Sequence, residues 1–298
     1  MTILLTGATG LIGSALKPFL EKAGHRVIPL VRSTRPPANA PAVWNLTDGR
    51  IHLNVPGRLD GVVHLAGETI AQRWTAAAKA RIRASRVEGT RRLCEALVQF
   101  DPPPQILIST SAVGIYGNRA HEPLDEQSAV GEGFLAETCR AWEAATDAAA
   151  ARGIRVVHLR LGIVLTPRGG ALARMLPAFR LGLGGRLGDG RQYWSWIALE
   201  DVLAVVKHAL DTESLRGPVN GVAPGAVTNA EFACALASAL GRPAFLPVPR
   251  FAVSVLFGQM GREALLSSAW VVPRRLEETG FHFRYPALRP ALQTMLAD

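Results

Sequence analysis

The amino-terminal segment carries three glycines, Gly7, Gly10 and Gly13, between an apolar run and a helical pattern. The run from Thr2 to Thr6 predicts a β-strand, and a glycine loop at its end leaves the first N–H groups of the next helix free to bind an anion. Gly7 permits a tight turn, Gly10 keeps a side chain out of the path of a phosphate, and Gly13 allows close packing of helix on strand. With a strand before it and a helix after it, the loop predicts a site for a dinucleotide diphosphate rather than a ligand-free turn.

The second apolar run indicates which dinucleotide is bound. It extends from Arg26 to Val31 and predicts a strand that ends at Arg32. Folds that bind NAD place an acidic residue near this point to accept from the ribose 2′-hydroxyl, whereas an arginine suits a 2′-phosphate. The chain has no Asp or Glu between Glu21 and Asp48. The segment therefore favours NADP(H) over NAD(H), with a solvated arginine at a strand end as the alternative.

Predicted strands and helices alternate in the order that a doubly wound α/β fold requires. Helical patterns cover residues 16–23, 76–100 and 132–152, and apolar strands lie between them. Beyond about residue 165 the alternation loosens. We therefore predict a Rossmann parallel sheet in residues 1–165, to which strands and a helix of 196–222 return. Residues 166–298 then form a smaller α+β substrate region.

Two helix starts in this smaller region carry capping signals. Glu200 and Asp201 are expected to cap a helix, and the pair Thr228 and Glu231 has the spacing of a capping box. The nearby Trp194 and Trp196 either wall a substrate cleft or anchor the second region.

Composition narrows the class of protein. The 298 residues are 48% hydrophobic and 19% charged, which is typical of a globular chain with a full core. Cys94, Cys139 and Cys234 are widely spaced, which argues against a structural zinc site and favours a reducing compartment. No apolar run approaches the length of a membrane span, and the N-terminus enters a strand at once. We therefore expect no metal, no membrane partner, no signal peptide and a cytoplasmic location.

The net charge of +9 raises the question of nucleic-acid binding. The excess is nearly all arginine and is spread along the chain. The densest basic stretch, residues 79–92, lies in a predicted helix without interleaved aromatic residues. A solvated helix face with one arginine turned toward a phosphate explains it, so we expect no nucleic-acid partner.

Four segments in a fixed order carry a family resemblance: Thr6–Gly13, His64–Gly67, Ser109–Gly117 and Leu159–Val164. Together they resemble the extended and atypical short-chain dehydrogenase/reductase superfamily, the NAD(P)-dependent epimerase/dehydratase group. Within that group the chain is similar to an atypical subgroup labelled sugar-nucleotide epimerase or SulA-like. The marks of the subgroup are Leu65–Glu68, Trp142–Glu143, Gln192–Ile197 and Asn220–Pro224, and residues 245–298 are similar to its small C-terminal domain.

The resemblance implies a set of cofactor-binding residues. On the glycine loop these are Gly7, Thr9, Gly10, Leu11, Ile12 and Gly13. Arg32 is implied at the 2′-phosphate, Leu65, Ala66 and Gly67 along the adenosine, Arg86 at a phosphate, and Thr110 at the nicotinamide ribose. Leu161 and Gly162 would border the nicotinamide ring.

The catalytic pair of the superfamily is missing. Its chemistry depends on a Tyr placed four residues before a Lys on one helix, where the Lys lowers the phenol pKa and the Tyr moves a proton as hydride is transferred. The chain has only Tyr116, Tyr193 and Tyr285, and none is followed by a lysine at that spacing. The aligned helix carries Leu135 and Cys139 at these two positions. The standard acid–base machinery is therefore absent.

Several side chains can substitute for this pair. Ser111, or alternatively Thr110, can hydrogen-bond a substrate carbonyl or hydroxyl, although Ser111 lies five residues before Tyr116 rather than the usual four. Tyr116 either donates a proton or packs its ring over the loop. Glu68 is equally open as a base or as a cap for the next segment. For Cys139 and His64, core roles are favoured over catalysis.

Two functions remain open on the sequence alone. The first is an NADP(H)-dependent oxidoreductase or epimerase-like enzyme with a rearranged active site and a small substrate that the sequence does not identify. The second is a non-catalytic NADP(H)-sensing or regulatory protein that keeps the cofactor fold.

Overall fold

A computed structural model describes residues 1–34, 41–45, 50–55 and 57–297. Its strands are β1 (Thr2–Thr6), β2 (Arg26–Pro29), β3 (Val31–Ser33), β4 (Ala42–Asn45), β5 (Ile51–Leu53), β6 (Gly61–His64), β7 (Ile106–Ala112), β8 (Pro123–Leu124), β9 (Arg155–Leu161), β10 (Ile163–Leu165), β11 (Tyr193–Trp194), β12 (Trp196–Ala198), β13 (Gly217–Gly221), β14 (Val227–Thr228) and β15 (Trp270–Val271). Its helices are α1 (Leu11–Lys22), α2 (Ala76–Leu97), α3 (Phe134–Ala144), α4 (Asp147–Ala151), α5 (Gly170–Arg180), α6 (Leu199–Asp211), α7 (Asn229–Ala239), α8 (Arg250–Met260), α9 (Arg274–Glu278) and α10 (Leu288–Leu296). A 3-10 turn covers Val113–Tyr116 and a π-helical turn covers Gly261–Leu265.

Six parallel strands form the central sheet in the order β13-β9-β7-β6-β1-β2. The chain builds outward from β1 to β2 on one side and then crosses to β6 on the other. Such a switch point opens a crevice at the carboxyl ends of the two strands, and ligands of open α/β sheets bind there. The predicted fold class, a Rossmann parallel sheet in an α/β chain, is confirmed.

The sheet is buried on both faces, as its continuous apolar strands predict. Ile3 and Leu5 face a core shared with α1 and α6, whereas Leu4 faces the opposite core beneath α2. This alternation follows from the two-residue period of a strand. It fixes β1 in place and so positions the glycine loop that follows it.

Three elements differ from the sequence prediction. Helix α1 begins at Leu11 rather than five residues later, because Gly10 already acts as its N-terminal cap. The strand predicted from Arg26 ends at Pro29, which has no N–H to donate, and Val31 starts β3 in a separate three-stranded sheet. The single helix predicted over 132–152 is two helices. They are divided at Thr146, whose hydroxyl bonds Glu143 O at 2.8 Å and His158 Nε2 at 2.8 Å.

The second region packs around its own core, which includes Trp196 and Phe232. The capping box is present, since Thr228 and Glu231 bond each other's backbone N–H groups. Asp201 does not cap α6, which corrects that expectation. Its carboxylate instead accepts from the backbone N–H groups of Arg284 and Tyr285 at 2.8 and 3.0 Å, so it ties the C-terminal segment to α6. Within the described residues no helix is both long and apolar enough to cross a membrane.

Candidate dinucleotide-binding and active site

A cleft of about 800 Å³ opens at the carboxyl ends of the central strands. Its lining combines the glycine loop, the ends of β6, β7 and β9, one face of α3, and the π-helical turn. The lining includes Gly7, Gly10, Leu11, Ile12, Gly13, Leu65, Gly67, Arg86, Thr110, Ser111, Leu135, Thr138, Cys139, Trp142, Leu161, Gly162, Tyr193, Trp194, Arg262 and Glu263.

The glycine loop forms a cradle that side chains would fill. Gly7 has a φ of +69°, and a Cβ at Gly13 would lie 2.2 Å from Gly7 O. A Cβ at Gly10 would lie 3.3 Å from the same oxygen, so this position tolerates a methyl group only tightly. Leu11 and Ile12 begin α1, where N–H groups have no intrahelical acceptor, and the first turn holds no acidic residue. The cradle therefore fits a diphosphate.

The other predicted cofactor residues lie around this cradle in different settings. Thr9 is exposed on the loop, outside the lining of the cleft. Leu65 and Gly67 line the cleft, whereas the Ala66 N–H donates to Thr6 Oγ1 at 3.2 Å. Arg32 is exposed on β3, in register with Trp44 of β4, rather than at the end of β2.

Arg86 is held more deeply than the resemblance implies. Its Nη1 donates to Glu68 O at 2.9 Å, and its guanidinium lies 5.1 Å from the Trp142 ring centroid. A Cβ at Gly67 would lie 3.3 Å from its Cζ. Burial lowers the pKa of Arg86, and the negative charges of the Cys139 thiolate, which forms only at high pH, and of the Glu68 carboxylate oppose this shift. Arg86 is thus a fixed cation in the wall of the cleft, against α3.

A chain of neutral hydrogen bonds, the histidine network, lies under the glycine loop and joins Thr6, His64, Thr90 and Trp142. Thr6 Oγ1 bonds His64 Nδ1 at 2.7 Å, His64 Nε2 bonds Thr90 Oγ1 at 2.9 Å, and Trp142 Nε1 donates to Thr90 Oγ1 at 2.8 Å. Burial lowers the pKa of His64 to about 4. His64 is therefore neutral, which supports the core role over catalysis.

The tautomer of His64 follows from the partners of Thr6. Thr6 Oγ1 already accepts from the N–H groups of Leu65 and Ala66, so its own hydrogen is left for His64 Nδ1. We assign the proton of the ring to Nε2 on this basis. Thr110 joins the same region, since its hydroxyl donates to His64 O at 3.0 Å while the residue lines the cleft.

A second, charged network, the arginine network, joins Asn220, Tyr116, Arg160 and Glu143. The Tyr116 hydroxyl donates to Asn220 Oδ1 at 2.7 Å and accepts from Arg160 Nη1 at 2.9 Å. Arg160 also donates to both Glu143 oxygens, at 2.8 and 2.9 Å. Burial alone would lower the pKa of Arg160, but the bonds and charge of Glu143 raise it above its ordinary value.

Tyr116 belongs to this buried network and does not line the cleft. Its ring is fully buried, burial raises the pKa of its phenol, and both hydrogen-bonding positions of the hydroxyl are taken. Its position therefore supports packing rather than proton donation.

Glu68 is also outside the lining of the cleft. Its Oε1 accepts from Gln72 Nε2 at 3.4 Å, which supports neither a role as a catalytic base nor a role as the cap of the next segment.

Helix α3 shows what occupies the place of the Tyr–Lys pair. Leu135, Thr138, Cys139 and Trp142 recur at helical spacing on the face toward the cleft. Burial raises the pKa of the Cys139 thiol to about 11, and the Glu143 charge adds to this while Arg86 opposes it. The thiol is protonated at neutral pH and is a poor base or nucleophile.

Two hydroxyls remain without hydrogen-bond partners at this end of the cleft. Ser111 Oγ and Thr138 Oγ1 are buried and make no well-formed hydrogen bond, and both residues line the cleft. The Ser111 hydroxyl does lie beside the Cys139 sulfur, where it slightly opposes the rise in the pKa of that thiol. Unsatisfied buried hydroxyls are costly, so such a pair at a cleft indicates a place for a ligand oxygen. Thr138 was not predicted as a site residue, although its spacing of three residues from Leu135 and four from Trp142 on a helix places it on the same face.

The C-terminal segment closes the cleft with residues that sequence analysis did not single out. Glu263 accepts from the Leu135 N–H at 3.2 Å at the start of α3 and is itself bonded by Gln259 at 2.6 Å.

The two tryptophans considered in the sequence have different roles. Trp194 lines the cleft and donates to Leu265 O at 3.3 Å, so it both walls the cleft and anchors the C-terminal segment. Trp196 is fully buried and donates to Gly225 O at 2.8 Å, which is an anchoring role alone.

The fold and the cradle define a dinucleotide-binding α/β protein, and comparison with known proteins gives its family. The chain belongs to the NAD dependent epimerase/dehydratase family, which matches residues 3–220. A domain of unknown function, DUF1731, matches residues 248–295. The family resemblance seen in the sequence motifs is confirmed.

Named relatives cover nearly the whole chain. The epimerase family protein Mb2239 of Mycobacterium bovis is 44% identical over 292 residues, 97% of this chain and 96% of that protein. The epimerase family protein SDR39U1 of Bos taurus is 39% identical over 302 residues and covers 100% of both.

Two solved structures extend the comparison. Human SDR39U1 (isoform 2), crystallised with NADPH, has a TM-score of 0.89 at 36% identity and covers 100% of both chains. The nucleoside-diphosphate sugar epimerase of Corynebacterium glutamicum has a TM-score of 0.78 at 34% identity, over 99% of this chain and 58% of that one.

Proposed function

We propose that this chain binds NADP(H) and acts as an oxidoreductase or epimerase-like enzyme with a non-standard active site. The observation that carries the proposal is the glycine cradle, whose tight backbone packing requires glycine at Gly7 and Gly13 and which opens into the cleft at the start of α1. The NADPH in the crystals of human SDR39U1, a relative over the full length, supports the phosphorylated form. A cytoplasmic location is also proposed, supported by three free cysteines, of which Cys234 is exposed.

Within this proposal the glycine cradle, Arg32 and Arg86 each bind a different part of the cofactor. The N–H groups of Leu11 and Ile12 bind the diphosphate, and the exposed Arg32 accounts for the 2′-phosphate. Arg86 contacts Trp142 and lies beside Cys139, on the face of α3 where the family carries its lysine. We therefore place Arg86 at the nicotinamide half, where it supplies the positive charge that the lysine of the Tyr–Lys pair supplies in the superfamily.

At the reacting end the chain offers hydrogen bonds rather than a proton-transfer pair. The nicotinamide supplies or accepts hydride when it is bound. Ser111 and Thr138 hold and polarise a carbonyl or hydroxyl oxygen of the substrate through their unpaired hydroxyls. Neither hydroxyl is paired with a base in the described part of the chain, so both orient the substrate instead of transferring a net proton.

An NADP(H)-sensing or regulatory protein is the second candidate. The observation that favours it is the substitution of Leu135 and a protonated Cys139 for the Tyr–Lys pair. Such a protein keeps the cofactor and lacks turnover.

Titration of NADPH fluorescence tests the cofactor step. We expect saturable binding by the native chain and at least about tenfold weaker binding by Gly10→Ala, because the added methyl group enters the diphosphate cradle. Gly24→Ala is a control for adding a methyl to a glycine, since nothing lies within 4 Å of its Cβ position, although its positive φ adds strain. Equal NADPH affinity in Gly10→Ala and the native chain contradicts the assignment of the cradle.

NADPH oxidation over a panel of sugar nucleotides, quinones and aldehydes separates the two candidates. Turnover that Ser111→Ala lowers by about 10² or more, with NADPH affinity unchanged, supports the enzyme. Tight NADPH binding without turnover across the panel favours the sensor.

A further inference from the structure

The exposed apolar side chains of this protein are concentrated in two segments. Of eleven large apolar side chains that are exposed in the described part of the chain, eight lie in residues 181–183 and 245–257. They are Leu181, Leu183, Phe245, Leu246, Phe251, Val255, Leu256 and Phe257. Single exposed apolar residues are normal, but a concentration of this kind marks an interaction surface.

The two segments lie side by side. Leu187 and Val248 form a parallel bridge, and the Val248 N–H donates to Arg186 O at 2.8 Å. Helix α8 follows directly and turns its apolar residues outward. Phe251 and Val255, four residues apart, are 72% and 68% exposed, whereas Val253 between them is fully buried.

Arginines flank these side chains, and carboxylates are missing from both segments. Residues 148–188 and 232–262 contain no Asp or Glu. Arg180, Arg186, Arg242 and Arg250 are exposed there, and none forms an ion pair with another described residue. Together with the eight apolar side chains, these four arginines make up the apolar–basic surface.

A cavity of about 510 Å³ opens into this surface. Arg186 and Arg242 line it together with Phe245 and Pro247. Two cations beside an apolar ring suit an anionic headgroup attached to an acyl chain.

We propose that the apolar–basic surface docks on a bilayer that contains anionic phospholipids, with the outer side of α8 in the interface. A second copy of the chain is a poor occupant, because a two-fold interface would place these arginines against themselves. An acidic protein satisfies the charge but has to match the shape of scattered, protruding side chains, whereas a lipid interface does not. The proposal departs from the expectation of no membrane partner, which rested on the lack of a spanning segment.

The docking surface leads directly into the cleft. Helix α8 continues into the π-helical turn, whose Arg262, Glu263 and Leu265 line the cleft. Docking therefore brings lipid within a few helical turns of the cleft wall.

Vesicle flotation tests the proposal with 70:30 POPC:POPG vesicles against pure POPC vesicles at 0.1 M salt. We expect binding to the anionic vesicles, about fivefold weaker for each arginine removed in Arg242→Gln and Arg250→Gln. The double variant Phe251→Ser/Val255→Ser is expected to lose about tenfold or more, because less apolar area enters the interface. Arg216→Gln and Val130→Ser repeat the Arg→Gln and Val→Ser changes at exposed positions outside the surface and are expected to bind as the native chain does.

The contrary outcomes are distinct and do not depend on the cofactor. Equal or absent binding to both vesicle types overturns the proposal. Loss of binding in the arginine variants but not in the Phe251/Val255 variant indicates charge attraction only, as an acidic partner would give, and overturns insertion. A dimer in sedimentation that Val255→Ser dissociates assigns the surface to a second copy. An unchanged melting temperature and far-UV circular dichroism spectrum in every variant confirm that the chain remains folded.

Discussion

The histidine network and the arginine network both bury polar groups beneath the cleft, but the first is neutral and the second is charged. The histidine network under the cofactor end is neutral, and its hydrogen bonds run in a single chain from Thr6 through His64 and Thr90 to Trp142. The arginine network under the reacting end carries buried charges, with Arg160 held between Glu143 and Tyr116. Neutral chains cost little to bury, whereas a buried cation is stable only with its partner in place. The reacting end is therefore the more fragile half of the site.

Removal of Glu143 should be the most damaging change. Glu143→Ala leaves Arg160 buried without its carboxylate, and we expect a loss of about 3–5 kcal/mol in the free energy of unfolding. Urea denaturation measures this loss. Glu137→Ala on the exposed side of the same helix is the control, with an expected change below about 1 kcal/mol. Similar losses in both variants contradict the contrast between the networks.

The histidine network predicts a specific pH dependence of stability. The His64 pKa is about 4 in the folded chain and about 6.5 when unfolded, so as pH falls from 6.5 to 4 the unfolded state takes up the proton first. His64 therefore destabilises the fold by up to about 3 kcal/mol at pH 4 relative to pH 7.

His64→Gln isolates this effect, because the other titrating groups are present in both proteins and cancel in the difference. The unfolding free energies of the two proteins, measured from pH 7 to pH 4.5, should approach each other as pH falls. A constant difference across this range means that His64 does not titrate below its ordinary pKa.

Tyr116→Phe distinguishes a structural from a catalytic tyrosine. Loss of the hydroxyl leaves Arg160 Nη1 and Asn220 Oδ1 without this partner, which we expect to cost about 1–3 kcal/mol in unfolding free energy. NADPH affinity should not change. Loss of turnover at full stability is the result that restores Tyr116 as a proton donor.

Arg86→Gln tests which half of the cofactor lies against α3. We expect NADPH affinity to fall by roughly tenfold to hundredfold, since a charge-assisted bond contributes about 1.5–3 kcal/mol. Binding of 2′,5′-ADP, which lacks the nicotinamide half, should be unchanged. Equal losses for both ligands place Arg86 at the adenosine side and remove its assignment as a substitute for lysine.

Arg32→Glu tests the opposite end of the cofactor, the 2′-phosphate, and is expected to have the smallest of these effects. Because Arg32 is exposed and screened by salt, we expect roughly tenfold weaker binding of both NADPH and 2′,5′-ADP. NAD(H) affinity should not fall, because the new carboxylate can accept from the ribose 2′-hydroxyl, and thermal stability should stay the same. Equal NADPH affinity in the variant and the native chain excludes Arg32 from the 2′-phosphate site.

The cofactor end of the site can be predicted from the sequence, whereas the reacting end cannot, because the two ends depend on contacts of different range along the chain. The cradle from Gly7 to Gly13 is a local structure, in which turn, cap and first helical turn follow from residues a few positions apart. The partners of Tyr116 lie 44 and 104 residues away, and Glu263 reaches Leu135 across 128 residues. No short-range pattern encodes such pairs, so the role of Tyr116 stayed open until the fold brought its partners together.

The sequence by itself determined the alternating α/β architecture, the glycine cradle and the lack of a Tyr–Lys pair, because each depends on periodicity, spacing or residue identity. Only the tertiary structure decided that the Tyr116 hydroxyl is consumed in a buried network, that Arg86 lies against α3, and that Ser111 and Thr138 are unpaired. These outcomes depend on which side chains from distant segments come within hydrogen-bonding distance of one another, and only the folded chain determines that.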